Sequence, residues 1–253
     1  NKNRLKDVSI RWYQSGTYPL QSLNYTYNEL ISAEKDALIF TDANWTLFAS
    51  YLLQYGKGLF NDKKVIFSAL MLTPFSMNEL TEELGIPEFK DADPEFYKSK
   101  TPTMTFANEM KKRIEHIAKY TKRPIYISVS TNEAVKNLLK DHLYGEGLLM
   151  RYSSKPYDNL AVMRRNFENT YLLDYLYETF YPETLTDVCL DLKGVKMLSI
   201  YYVPAFKSLL QFYKESGDVT HYDKLYSLLE SIVKKADYYS DEVRERYLKS
   251  INF

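Results

Sequence analysis

Asp36-Ala37-Leu38-Ile39-Phe40-Thr41-Asp42-Ala43-Asn44-Trp45-Thr46 is the stretch that decides the fold. Ala37 to Phe40 is too short and too uniformly apolar for an amphipathic helix, which marks a buried strand. Thr41, Asp42 and Asn44 are turn and N-cap residues. Beyond them Leu47, Phe48, Tyr51, Leu52 and Tyr55 recur at helical spacing until Gly56 and Gly58 break the pattern. A strand thus empties into a polar turn where a helix begins, Trp45 to Tyr55, and open α/β sheets bind ligands at such places.

Working outward, Lys64-Val65-Ile66-Phe67-Ser68-Ala69-Leu70 reads as a second strand after an Asn61-Asp62 turn. Strand, short helix and strand make a parallel crossover the default. Arg123-Pro124 leads into a third strand, Ile125 to Ser130, followed by Thr131-Asn132-Glu133 and another amphipathic helix through Leu138, Leu139 and Leu143. Tyr144-Gly145-Glu146-Gly147 turns the chain into a short edge strand, Leu148 to Tyr152. Helices are expected over Tyr25 to Ala33, from a Ser76-x-x-Glu79 capping box to Gly85, and over Thr103 to Tyr120. Residues 1–24 read as a polar lead-in with one short helix, broken by Gly16 and Pro19. After Pro156 the pattern turns helical: Asn159 to Tyr181, Val195 to Ser216, Tyr222 to Ala236 and Asp241 to Ile251, with Gly217-Asp218 a tight break. The expected architecture is α/β: a three-layer, Rossmann-like, mostly parallel sheet over residues 25–155, then an all-α tetratricopeptide-like domain over residues 156–253.

Composition bounds the function classes. The chain has 253 residues, 45% hydrophobic and 26% charged, which is ordinary globular composition. Lys plus Arg and Asp plus Glu are each 33, so no broad nucleic-acid surface is expected. Tyrosine stands out at 24 copies against 13 Phe and 2 Trp; a phenol buries a ring and keeps a polar tip, which suits wet interfaces and carbohydrate or peptide surfaces, and a compositional habit of the source organism gives the same excess. The single Cys189 excludes an internal disulfide and a multi-cysteine zinc site. No run of 18 apolar residues spans a membrane. A start at Asn1 without Met is what a processed or trimmed segment shows.

Two polar clusters carry the candidate chemistry: Thr41, Asp42, Asn44, Trp45 and Thr46 after the first strand, and Ser128, Ser130, Thr131 and Asn132 after the third. If those strands are parallel neighbours, both clusters line one crevice. They either hold a hydroxyl-rich ligand or cap their own helices. The turn lacks the glycines of a dinucleotide site, and no P-loop ending is present, so no cofactor is assigned. His116, His142 and His221 stand away from both clusters in sequence, and no ligand spacing for a metal occurs. Asp91, Asp93 and Glu95 form an acidic trio without the glycine and distal glutamate of an EF-hand loop. Arg164-Arg165 reads as a solvated pair, and Glu146 with Arg151 as a salt bridge.

Several of these segments carry a resemblance. Phe40-Thr41-Asp42-Ala43-Asn44-Trp45-Thr46-Leu47-Phe48 and Lys64-Val65-Ile66-Phe67, then Arg123-Pro124-Ile125-Tyr126-Ile127-Ser128-Val129, Gly145-Glu146-Gly147-Leu148-Leu149-Met150-Arg151 and Gly217-Asp218 resemble the extracytoplasmic carboxyl-terminal region of a bacterial family of multi-pass membrane proteins. That family is of unknown function and related to protein O-mannosyltransferases. Its Gly-Asp-Asn-Asp turn is reduced here to Asp42-Ala43-Asn44-Trp45. The resemblance implies an extracytoplasmic, periplasmic-side location, a membrane-embedded portion or partner, and a non-catalytic accessory role in recognising protein or glycan. Two other readings stay open: a glycan-active hydrolase or transferase using Asp42, and a protein scaffold built on the helices. Oligomeric state is not legible.

Overall fold

The computed structural model describes residues 2–90, 103–176, 198–236 and 239–252. The protein is a mixed α/β structure around a five-stranded sheet ordered β2-β1-β3-β5-β4, from β1 (Leu38–Thr41), β2 (Lys64–Phe67), β3 (Ile125–Ser128), β4 (Leu143–Gly145) and β5 (Leu149–Tyr152). β1 pairs in parallel with both neighbours, Leu38 opposite Lys64 on one side and Ile125 on the other. β3 pairs antiparallel with β5, and β5 with β4. The sheet is therefore mixed, where the sequence pattern led to the expectation of a mostly parallel one. β4 was the unexpected strand: a run of three residues is too short for periodicity to show, and the Gly145-Glu146-Gly147 turn folds it back on β5 as a hairpin, which can only be antiparallel.

All four residues of β1 are buried because both faces are covered. The period of two sends Leu38 and Phe40 to one side and Ile39 to the other. Ile39, with Val65, Tyr126 and Leu149, meets Leu30 of α2 (Leu20–Ser32), Ala33 just beyond it and Leu47 of α3 (Asn44–Tyr51). Leu38, Phe40, Ile66, Ile125 and Ile127 meet α5 (Pro74–Leu84), α6 (Thr103–Tyr120) and α7 (Glu133–Leu139) through Leu80, Met110, Ile114, Val135 and Leu139.

Several element ends differ from expectation for local reasons. α1 (Lys2–Ser15) is a 14-residue helix where a mostly irregular lead-in was expected. Its surface is largely exposed, and its contacts are concentrated on Trp12, beside Tyr18 and Phe48, and on Tyr13 against Gly56, so no long apolar stripe announces it. β2 stops at Phe67 because Ser68–Met71 coils into one helical turn, α4. β3 stops at Ser128, where Ser130 N–H donates to Ser128 Oγ at 3.2 Å and Thr131 N–H to the Ser128 carbonyl at 3.0 Å, a local turn that replaces the ladder. α5 begins three residues before its expected box: Thr73 Oγ1 caps Ser76 N–H and Pro74 opens the helix.

Among the described residues the remaining α-helices are α8 (Asn159–Arg165), which runs into a π-helical turn Asn166–Thr170, α9 (Tyr202–Ser216), α10 (Val219–Lys235) and α11 (Asp241–Ile251). The helix expected from Asn159 to Tyr181 ends at Thr170, and its positions 177–181, like 195–197, Cys189 and the Asp91, Asp93, Glu95 trio, lie outside the described residues. Gly217, at φ +72°, and Asp218, which caps His221 N–H at 3.2 Å, join α9 to α10. Phe206, Leu209 and Leu210 of α9 pack on Leu225, Leu229 and Ile232 of α10 and on Ile251. Tyr25, Val129 and Leu148 belong to this same buried cluster, so one apolar core crosses the expected boundary at 155/156.

The hairpin turn is pinned by that crossing. Tyr171 Oη accepts Leu148 N–H at 3.1 Å, and a Cβ on Gly147, whose φ is +112°, would stand 2.6 Å from the same oxygen. Gly147→Ala is expected to destabilise the fold by about 2 kcal/mol or more, since backbone strain and clash add. Urea unfolding measures it; a loss below about 0.5 kcal/mol, the usual surface range, would show that the turn relaxes freely.

Candidate functional site

β1 and β3 are neighbouring parallel strands, so the two polar clusters do meet. After β1 the chain passes to α3 on one face, and after β3 to α7 on the other. The divergence opens the sheet's carboxyl edge between them, the position where α/β sheets place ligands. Side chains stitch this edge together. Ser68 Oγ donates to the Thr41 carbonyl at 3.2 Å, Thr131 Oγ1 to the Phe40 carbonyl at 3.3 Å, and Asn132 N–H to Asp42 Oδ2 at 2.7 Å.

Each expected site residue thereby acquires a place. Asp42 anchors the start of α7 instead of capping α3, and its Oδ1 is buried without a partner. Asn132 caps α7 by accepting Ala134 N–H at 2.8 Å. Thr41 is fully buried and accepts Ala43 N–H at 3.1 Å. Asn44 is exposed, whereas Trp45 packs against the helical core and accepts the Tyr18 hydroxyl on its carbonyl at 2.7 Å. Ser128 and Ser130 lie Oγ to Oγ at 2.8 Å, and Ser130 lies 3.3 Å from Thr41 Oγ1.

That hydroxyl row ends on a residue that sequence reasoning missed. Ser128 Oγ donates to Glu29 Oε1 of α2 at 2.5 Å, and Glu29 is completely buried. Burial pushes its carboxyl from 4.5 to about 8, against the opposing hydrogen bond of Ser128 and a weaker effect of Thr46. Thr46 Oγ1 and Glu29 Oε2 make no well-formed hydrogen bond, and neither do the buried oxygens of Ser22, Tyr25 and Thr26 on the same inner stripe of α2. A glutamate in a helix ordinarily faces water, so nothing in the sequence marked this one.

Beside the seam lies a half-open cleft of about 470 Å³ between the sheet edge and the helices, within the range of ligand sites. Val129, Met150 and Met163 form apolar wall, and Tyr201 and Tyr247 contribute rings from the helical part. Lys136 supplies a polar handle, bridging the Val129 carbonyl at 3.0 Å and Glu133 at 2.7 Å. The cleft adjoins the Ser128 to Asn132 turn, while its far wall comes from a part of the chain that sequence separation hid.

The loop Gly145-Glu146-Gly147 forms one rim. Glu146 does not pair with Arg151 as the sequence suggested; the Tyr157 hydroxyl donates to it at 2.5 Å, and Arg151 pairs with Glu34. Burial raises the Glu146 carboxyl, opposed by the Tyr157 bond and the Arg151 charge. The histidines have their own partners: His116 the Pro87 carbonyl, His142 the Tyr152 ring, His221 Asp218. Among the described residues no group of three His, Cys, Asp or Glu is placed to hold a metal ion.

Comparison with known protein families, with curated proteins and with solved structures finds no match.

Two measurements check this geometry. Asp42→Ala orphans the Asn132 N–H and is expected to cost about 1–3 kcal/mol in urea unfolding. Asp42→Asn, which keeps an acceptor, should recover most of that loss; equal losses would mean that Asp42 acts by charge alone. Between pH 4.5 and about 8 the folded chain holds a proton on Glu29 that the unfolded chain releases. Glu29 therefore contributes falling stability as pH rises through that window, with none lost below it. Wild type should lose several degrees of Tm between pH 5 and 9 relative to Glu29→Gln; parallel profiles would place the titration elsewhere.

Proposed function

We propose that this chain is a non-catalytic recognition module that binds a hydroxyl-rich ligand, a glycan or glycosylated protein segment, in the cleft between sheet edge and helices. The observation that carries the reading is the cleft itself: about 470 Å³, with tyrosine rings on one wall, apolar side chains beneath and the Lys136 and Glu133 pair at its edge. Sugar rings present an apolar face and a polar rim, and a tyrosine wall beside fixed polar groups matches both. The family resemblance supplies the setting, an extracytoplasmic portion serving a membrane glycosyltransferase-like protein. Among the described residues no helix is long and apolar enough to cross a membrane, so a membrane portion belongs to a partner or to another part of the protein. The finer likeness of the sheet to Rossmann-like folds, and of the α9–α10 hairpin to tetratricopeptide units, belongs to the same proposal.

Asp42 speaks for binding over catalysis. Its Oδ2 is occupied by the Asn132 N–H and its Oδ1 is buried, so neither oxygen is presented to the cleft, whereas a general acid or base must come within hydrogen-bond reach of its substrate.

The chain titrated calorimetrically with neutral oligosaccharides and with short glycopeptides should bind one class. Tyr247→Ala should weaken that binding about tenfold, because a stacking ring is removed from a partly exposed wall. Turnover of any of these compounds that Asp42→Asn abolishes would replace the proposal with the enzyme reading. Affinity indifferent to Tyr247→Ala would remove the cleft as the site.

A further inference from the structure

We infer that the free edge of β2 is a docking site for an extended basic peptide segment, added to the sheet as a further strand. β2 ends the sheet: β1 lies on one side and no strand among the described residues lies on the other. Lys64 N–H donates to the Ala37 carbonyl at 2.9 Å, toward β1. Alternation along the strand then turns the Val65 N–H and C=O and the Phe67 N–H to the open edge, which is the hydrogen-bonding row that β-strand addition uses.

A groove of about 530 Å³ runs along that edge. Tyr51, Phe67, Leu70 and Leu80 line its apolar part, and Leu70 is 51% exposed. α5 closes the far side with Glu79, Glu82 and Glu83, spaced so that all three share one helical face. Lys64, the basic residue of the lining, is already paired with Glu83 at 2.8 Å. The rim is thus negative overall, and an occupant with the complementary charge is a peptide in which lysine or arginine alternates with apolar residues. Period two places its apolar side chains on the face of Tyr51 and Phe67 and its cations on the face of α5. A short strand carrying a lysine is also how proteins protect an edge, but protection does not call for an apolar groove along that edge walled by three glutamates.

This site is separate from the cleft beneath Tyr247, so failure of either leaves the other standing. The probe is an acetylated, amidated, fluorescein-labelled peptide of alternating lysine and valine, about eight residues long to cover the edge, titrated at low salt against the whole chain and followed by anisotropy. Saturable binding is expected, with amide shifts in the NMR spectrum centred on Val65 and Phe67. Glu79→Lys combined with Glu82→Lys, both exposed positions, should weaken it about tenfold or more. A peptide N-methylated on alternate valines should lose at least as much, because the strand bonds are gone while the charge remains. Absence of saturation, equal affinity of the N-methylated peptide, or indifference to the charge reversal each overturns the proposal. Sedimentation showing that the chain pairs with itself through β2 would overturn it too, by giving the edge to a second copy.

Discussion

Parallel pairing of β1 on both sides requires that the chain leave and return to the same end of the sheet twice, and each return needs a helical crossover. The first crossover takes α3 over one face, and the second brings α5 and α6 over the other, so β1 ends up with neither an open edge nor an open face. The polar seam follows from the carboxyl ends left side by side. Their peptide groups cannot all be satisfied by the ladder, and Thr41, Ser68, Thr131 and Asp42 supply the bonds that the ladder does not.

α2 binds this edge to the rest of the molecule through two adjacent residues. Glu29 receives Ser128 from β3, while Asn28 donates to the Leu172 carbonyl and to the Tyr202 hydroxyl and accepts Leu172 N–H. A buried ionised carboxylate without a cation costs far more than one hydrogen bond returns, so the group stays neutral over most of the physiological range. Position, not charge, is what Glu29 contributes: a fixed hydrogen-bond partner between helix and strand.

The strands that carry a continuous apolar run, β1 and β3, were legible in the sequence, and so was the meeting of their polar ends. What was not legible depended on distant groups. β4 exists because Asn166 and Tyr171 hold the turn beyond it, Asn166 by donating to the Glu146 carbonyl at 2.7 Å. At the break after Thr170 Tyr171 is extended, and its hydroxyl takes the Leu148 N–H. Glu29 gives no sign of its burial, because a helix period records apolar residues and this one is polar. Near the candidate cleft, Ser128, Ser130 and Asn132 could be placed by their position after a strand, but they sit in the adjoining seam and do not line the cleft, whose Tyr201 and Tyr247 arrive from helices whose packing no local pattern encodes.

The bonds of Asn28 to Leu172 and Tyr202 span 144 and 174 residues of chain. At ribosomal rates of about 5–20 residues per second, Asn28 emerges roughly ten to thirty seconds before its partners are made. For most of that interval α2 has neither the whole sheet, whose last strand ends at Tyr152, nor the core toward which Tyr25 and Asn28 turn. Vectorial synthesis therefore exposes the polar stripe of α2 well before its partners are made, and a holdase that acts on this protein has that face to recognise.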